Sequence, residues 1–188
     1  MRLISLHKNY EKLIAKALDE NRKAQHELYE LFAPKMLSVC RQYIKRADIA
    51  EEVMLKGFLK VFTRLDSFKS EGSFEGWIRR IMVNESISQL RTEKQLFFEE
   101  ESILEYALEH ATYVDTNLEV EAIQQLIDAL PDGYKTVFVL YVVEGYKHSE
   151  IAELLQISES TSKSQLFKAR KMLQQQLTNE KNKQYGTQ

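Results

Sequence analysis

Residues 150–173, EIAELLQISESTSKSQLFKARKML, decide the fold of the second half of this chain. Ile151, Ala152 and Leu155 recur at helical spacing, and Gln156, Ile157 and Ser158 interrupt the pattern. Leu166, Ala169 and Leu173 then resume it, with Ser162 on the same inward stripe. Two helices joined by so short a turn, with the small Ala152 where they cross, have helix-turn-helix spacing. Ser158 is placed to cap the second helix at the amide of Thr161. The outward face is assigned Ser160, Thr161, Ser164, Gln165 and Lys168, with Lys163, Arg170 and Lys171 adding charge. Hydroxyls and cations suit phosphates, and a glutamine amide suits the N6/N7 edge of adenine in a major groove. The competing reading is an antiparallel helical hairpin with a solvated face.

Such a helix needs an acidic partner, yet the chain has 28 acidic and 26 basic residues. The charge is divided along its length. Residues 1–94 carry a net +5, residues 95–120 hold seven acids and no base, and residues 156–183 return to +4. Two basic footprints separated by an acidic segment fit a protein that meets nucleic acid in two places.

With 44% hydrophobic and 29% charged residues but only six Gly and two Pro in 188, the composition predicts an all-α globular protein. The single Cys40 sits in an apolar run and fits a reducing compartment, so a cytoplasmic location is expected. No apolar run is long enough to span a bilayer, and the N-terminus lacks the pattern of a secretory signal. No metal-ligand spacing links His7, His26, His110, His148 and Cys40, and no Gly-rich phosphate loop or Cys-His pair is present. Neither an enzyme activity, a cofactor nor a small-molecule substrate is expected, and no direct membrane insertion.

The helical period recurs upstream. Residues 21–32 and 34–45 read as two helices, with Pro34 in the first turn of the second or at a bend between them. Residues 49–65 place Ile49, Val53, Phe58, Val61, Phe62 and Leu65 on one stripe. After a Ser- and Gly-rich loop, Ser73 is the expected N-cap of a helix turning Phe74, Trp77, Ile78, Ile81, Ile87 and Leu90 inward. Breaks at Pro131-Asp132-Gly133, at Glu144-Gly145 and at 156–158 divide the downstream part into four helices. The expected organisation is an N-terminal helical bundle over 1–94 and an acidic flexible linker over 95–117, with a loose helix around 102–109. A four-helix helix-turn-helix domain over 118–178 and a polar, frayed tail over 179–188 follow.

From Leu126 to Leu173 the sequence resembles the promoter-binding C-terminal domain of bacterial RNA polymerase sigma factors of the extracytoplasmic function (ECF) subfamily. The resemblance rests on Leu130-Pro131, Val137-Phe138, Leu140, Glu144-Gly145, Glu150-Ile151-Ala152, Ile157-Ser158, Thr161, Lys163-Ser164, Leu166 and Ala169-Arg170. In the same order as in that subfamily, AEEVMLKGFLKVF (50–62) and FKSEGSFEGWIRRIMVNESISQLR (68–91) resemble its core-polymerase-binding helix and its promoter-melting loop and helix. The resemblance implies two helical domains. The first grips a coiled coil on the clamp of the largest polymerase subunit and reads the single-stranded minus-ten element. The second meets the polymerase flap and reads the minus-thirty-five element as duplex. By position, Glu51, Glu52, Leu55, Lys56 and Leu59 fall on the polymerase-binding face. Lys69, Ser70, Ser73, Phe74, Arg79, Arg80, Asn84, Glu85 and Ser88 fall near the minus-ten strand. Ser160, Thr161, Lys163, Ser164, Gln165, Lys168, Arg170 and Lys171 fall on the minus-thirty-five face. Core RNA polymerase and promoter DNA are the implied partners, together with an anti-sigma factor of the kind that commonly holds members inactive.

The chain departs from the subfamily pattern at four places. Leu55-Lys56 stands where Gln and an acid are usual, which alters the clamp contact. Gln156 replaces the turn glycine; positive φ there would cost about 1 kcal/mol or reshape the turn. Ser162 takes an inward position usually held by Val, and its hydroxyl needs a partner such as the carbonyl one turn back. Gln165 replaces a frequent Arg, exchanging a guanine or phosphate donor for an adenine reader and predicting a changed minus-thirty-five sequence. Trp77 reads as a core anchor, and Phe167 as an outward residue meeting the linker or another protein. A regulator that binds duplex DNA without polymerase is the alternative function.

Overall fold

A computed structural model describes residues 3–92 and 120–185, with side chains over 10–92 and 123–178. Its contacts divide the chain into two compact units, Met1–Glu93 and Lys94–Gln188. The expected linker and its loose helix lie outside the described residues. All elements described are helical or turns, in keeping with the all-α expectation.

The first unit comprises α1 (Leu3–Leu18), α2 (Arg22–Tyr43), α3 (Ala47–Thr63) and α4 (Phe74–Thr92). α2, α3 and α4 pack mutually, and α1 lies against α2. Asn21 starts α2, its Oδ1 accepting the N–H groups of Lys23 and Ala24, each at 3.1 Å. The two helices expected over 21–45 are one, with Pro34 inside it. The physical reason is a continuous buried stripe: Leu28, Phe32, Met36, Val39, Cys40 and Tyr43 carry the same face across the proline. Burial of those six side chains outweighs the roughly 3 kcal/mol that an interior proline costs. Burial also pushes the Cys40 thiol up to about 11, so it packs as a small apolar group.

The stripe on α3 buries Val53, Phe58 and Val61, and Leu65 closes it in a short turn of 3-10 helix, Leu65–Ser67. Gly57 lets α3 and α4 approach closely, because a Cβ there would run into Sδ of Met82. α4 begins as expected, with Ser73 Oγ accepting the Gly76 N–H at 3.0 Å. Its core face differs in part. Phe74, Ile78, Ile87 and Leu90 are buried, but Trp77 and Ile81 are half-buried, and Met82, Val83 and Ser86 lie inside with the others. Trp77 is instead the outer member of an aromatic cluster, 5.7 Å from the Phe74 ring and 5.5 Å from Phe68.

The second unit contains α5 (Val120–Asp128), α6 (Asp132–Phe138), a turn of π-helix (Val139–Val143), α7 (His148–Leu155) and α8 (Glu159–Tyr185). The breaks fall where Pro131, Glu144-Gly145 and Gln156 stand. α8 packs against α6 and α7, giving the helix-turn-helix its support. Lys135 of α6 is 2% exposed, and its ammonium meets Asp128 at the end of α5 at 2.6 Å.

Gln156 keeps the left-handed turn, with φ 57°, rather than reshaping it. The N–H of Ile157 reaches the carbonyl of Ala152 at 3.0 Å, a bond that only this backbone conformation closes. Gln156→Gly should therefore raise the stability of the second unit by about 1 kcal/mol in denaturant unfolding. At the far end, the tail expected to fray after Leu177 continues α8 as far as Tyr185. Its Gln, Lys and Glu residues are good helix formers.

Candidate functional site

The reading face of α8 starts at its cap. Ser158 Oγ accepts the Thr161 N–H at 3.0 Å and lies 2.7 Å from Ser160 Oγ and 2.8 Å from Thr161 Oγ1. Three hydroxyls thus gather at the helix start, and Ser164 Oγ donates to the Thr161 carbonyl at 3.0 Å. Ser160, Thr161, Ser164 and Lys168 are half-buried, while Lys163, Arg170 and Lys171 are exposed. Lys168 Nζ lies 5.9 Å from the Tyr134 ring centre, and the Arg170 guanidinium 5.8 Å from that of Tyr141. Those rings, on α6 and the π-helical turn, hold two cations in place that free lysine and arginine stems would not. Neither tyrosine was singled out by sequence, because aromatics at helical spacing read simply as core.

Gln165 is a correction. It is 1% exposed rather than on the outward face, and its Oε1 has no hydrogen-bond partner. At 100° per residue it lies only about 40° from the inward Ala169, so the wheel places it at the edge of the core, not opposite. It cannot read an adenine edge from there, and the changed minus-thirty-five sequence expected from it loses its basis. Gln165→Leu should raise stability by about 1 kcal/mol, since it removes an orphaned amide oxygen, and should leave duplex sequence preference unchanged in a binding selection.

Ser162 is fully buried as expected, but its hydroxyl partner is Nδ1 of His148, at 2.8 Å, rather than a carbonyl. His148 starts α7 and stacks on the Tyr141 ring, centroids 4.5 Å apart. No spacing in the sequence announces this role, because its partner lies 14 residues away.

In the first unit, α3 presents Glu51, Glu52, Leu55, Lys56 and Leu59 together on its exposed side, opposite Val53, Met54, Phe58 and Val61. Leu55 is 54% and Leu59 65% exposed, a cost in water that a covering partner would relieve. Lys56 pairs with Glu52 at 2.8 Å along the helix.

The loop before α4 exposes Lys69, Ser70 and Ser73, with Ser70 held at φ 58°. Along α4, Arg80, Asn84 and Ser88 are exposed at four-residue spacing and form one polar row, with Arg79 half-buried beside it. Two residues assigned to this surface are engaged elsewhere. Phe74 is 7% exposed and packs edge-on against Phe32 at 5.6 Å and Phe68 at 5.1 Å. The Glu85 side chain is 14% exposed and bound to Lys60 at 2.6 Å, so it joins α4 to α3. The loop also borders a cleft of about 390 Å³, walled by Tyr10, Ile14, Phe32 and Phe68, with Glu11 and Ser70 among its polar lining groups. The contribution of α1 to that cleft was not legible in sequence. Among the described residues no cluster could hold a metal ion, and no helix is long and apolar enough to cross a membrane.

Comparison with known proteins addresses both surfaces. The Sigma-70 region 2 family matches residues 28–95, and the Sigma-70, region 4 family matches residues 120–173. The chain is 27% identical over 183 residues to the ECF RNA polymerase sigma factor SigW of Bacillus subtilis, covering 89% of this chain and 98% of that protein. It is 28% identical over 177 residues to the ECF RNA polymerase sigma-E factor of Haemophilus influenzae, covering 88% and 93%. The fold is similar to that of the sigma factor RpoE of Bartonella quintana, solved in complex with the anti-sigma factor NepR. There the TM-score is 0.50 at 21% identity, over 81% of this chain and 96% of that one. With region 2 matched in the unit that bears the exposed leucines, region 4 in the unit that bears the helix-turn-helix, and both in the order of full-length relatives, the chain belongs to the sigma-70 family and is an ECF sigma factor, a promoter-recognition subunit of RNA polymerase.

Proposed function

We propose that the first unit docks on the clamp coiled coil of the core polymerase through Leu55 and Leu59, and that α8 of the second unit reads the minus-thirty-five duplex. The observation that carries this is the separation of surfaces: one helix exposes large apolar side chains suited to protein, the other exposes hydroxyls and cations suited to a duplex. Lys163, Lys168, Arg170 and Lys171 supply phosphate contacts, and Ser160, Thr161 and Ser164 approach the base edges. Lys69, Ser70, Ser73, Arg79, Arg80, Asn84 and Ser88 meet the unpaired minus-ten strand, where the aromatic wall of the neighbouring cleft suits an unstacked base. The residues given these roles act by binding alone, without bond chemistry of their own, and do so wherever the polymerase works.

An anti-sigma factor completes the scheme. The Bartonella quintana relative was solved with one, and exposed leucines on the polymerase-binding helix are a surface such an inhibitor could cover. The test is a pair of charge reversals, Lys168→Glu with Arg170→Glu, in the full chain. Co-elution with core polymerase should persist while transcription from a cognate promoter is lost. Loss of co-elution would assign polymerase binding to α8 and overturn the division.

A further inference from the structure

The grip of α7 on the reading helix is polar where an apolar contact would serve. Ser162 is fully buried, and among the described residues the one partner of its hydroxyl is Nδ1 of His148, at 2.8 Å. A buried hydroxyl must place its proton on an acceptor or lose a hydrogen bond. The arrangement that satisfies that proton has Ser162 donating, Nδ1 accepting, and a neutral imidazole with its own proton on Nε2. The same ring stacks on Tyr141 at 4.5 Å and 23°, and the guanidinium of Arg170 lies 5.8 Å from the Tyr141 ring centre. Ser162 and Arg170 lie eight residues apart on α8, so two turns of the helix are tied to one His-Tyr pair.

We propose that His148 is a positioning residue for promoter reading: through Ser162 and Tyr141 it sets α8 and Arg170 for duplex contact, and its protonation in acid weakens that hold. This rests on the sigma-factor reading of α8. An imidazolium carries a proton on Nδ1, so it can no longer accept from Ser162; the pair can meet only with Nδ1 donating to Ser162 Oγ, which leaves the buried hydroxyl's own proton without an acceptor. The surroundings disfavour that charge. Burial is the largest influence holding the His148 pKa below 6.5; the Lys163 ammonium adds to it, Glu159 opposes it, and Arg170 again lowers it. These three face the ring from α8. Tyr141 belongs to the π-helical turn and Glu144 follows its end; Lys147 precedes α7 and Glu150 lies in its first turn, where the Glu150 carboxylate accepts the Lys147 backbone N–H at 2.8 Å.

Because the folded pKa is depressed, the unfolded chain binds the proton more tightly, and stability is lost progressively as pH falls below 6.5 and through the lower folded pKa. Above 6.5 both states carry neutral His148 and the hold is complete.

The test uses holoenzyme assembled from core polymerase and the full chain, on promoter duplex, at pH about 7.5 and about 5, the lower value well below an ordinary histidine pKa because that of the folded His148 is depressed. Variants are His148→Asn, whose Oδ1 sits near the place of Nδ1 and accepts at both pH values, and His148→Ala, which accepts at neither. Acidification should weaken the natural chain by about three- to tenfold more than His148→Asn, the size of one hydrogen bond. His148→Ala should be weak at both pH values. Identical pH profiles for the natural chain and His148→Asn would overturn the proposal. Imidazole nitrogen spectra of the free chain decide independently: a neutral ring protonated on Nε2 supports it, and a ring protonated on Nδ1 at neutral pH overturns it. Holoenzyme that fails to form or to bind promoter would count against the sigma reading, while those spectra still decide the hold.

Discussion

Replacing Leu55 and Leu59 together by aspartate should lower the affinity for core polymerase by about a hundredfold or more, at roughly 1.5 kcal/mol or more for each large side chain left uncovered. Both side chains are more than half exposed, so neither supports the fold, and thermal unfolding of the first unit should shift little. The new carboxylates would also stand beside Glu51 and Glu52 on the same side of α3, adding repulsion to the lost burial. The Lys56–Glu52 pair contributes little by comparison: both ends are about half exposed, and water screens them. Competition with the natural chain for core polymerase measures the effect. Unchanged affinity in a folded double variant would move the polymerase contact off α3.

Asp128→Ala should destabilise the second unit by about 3 kcal/mol, whereas Lys135→Met should be neutral or stabilising. The asymmetry comes from burial. The Lys135 side chain is 3% exposed and bonds the Asp128 carboxylate at 2.6 Å, so removing the carboxylate strands an ammonium away from water. Removing the lysine instead leaves an aspartate 47% exposed, which water can solvate, and a methionine fills the vacated stem. Denaturant unfolding of the two variants gives the sign and size. Equal losses from both would show that the pair acts by mutual attraction rather than by the cost of the buried cation.

Periodicity made the helices and their order legible, because burial of one stripe per helix is a local property. Ser158 and Ser73 were legible as caps for the same reason: capping depends on an amide three residues away. Pro34 misled, since a local rule ends a helix there while the stripe from Leu28 to Tyr43, a tertiary matter, carries it through. Gln165 misled at the boundary between faces, where about 40° separates an inward residue from an outward one. Phe74 and Glu85 sat at positions suggestive of a nucleic-acid surface, yet the aromatic cluster and Lys60 engage them. The His148–Ser162 bond and the Tyr141–Arg170 contact join residues far apart in sequence, so no spacing announces them.

Run-off transcription from a randomised promoter library, with purified core polymerase and this chain, decides whether the chain confers promoter choice on the polymerase. Transcripts are expected only when both components are present, from templates enriched in two motifs at fixed separation. The upstream motif should lose its enrichment when Lys168 and Arg170 are reversed in charge. Transcription without enrichment of either motif, or protection of promoter duplex by the chain alone with no transcripts in the presence of core, would contradict that role.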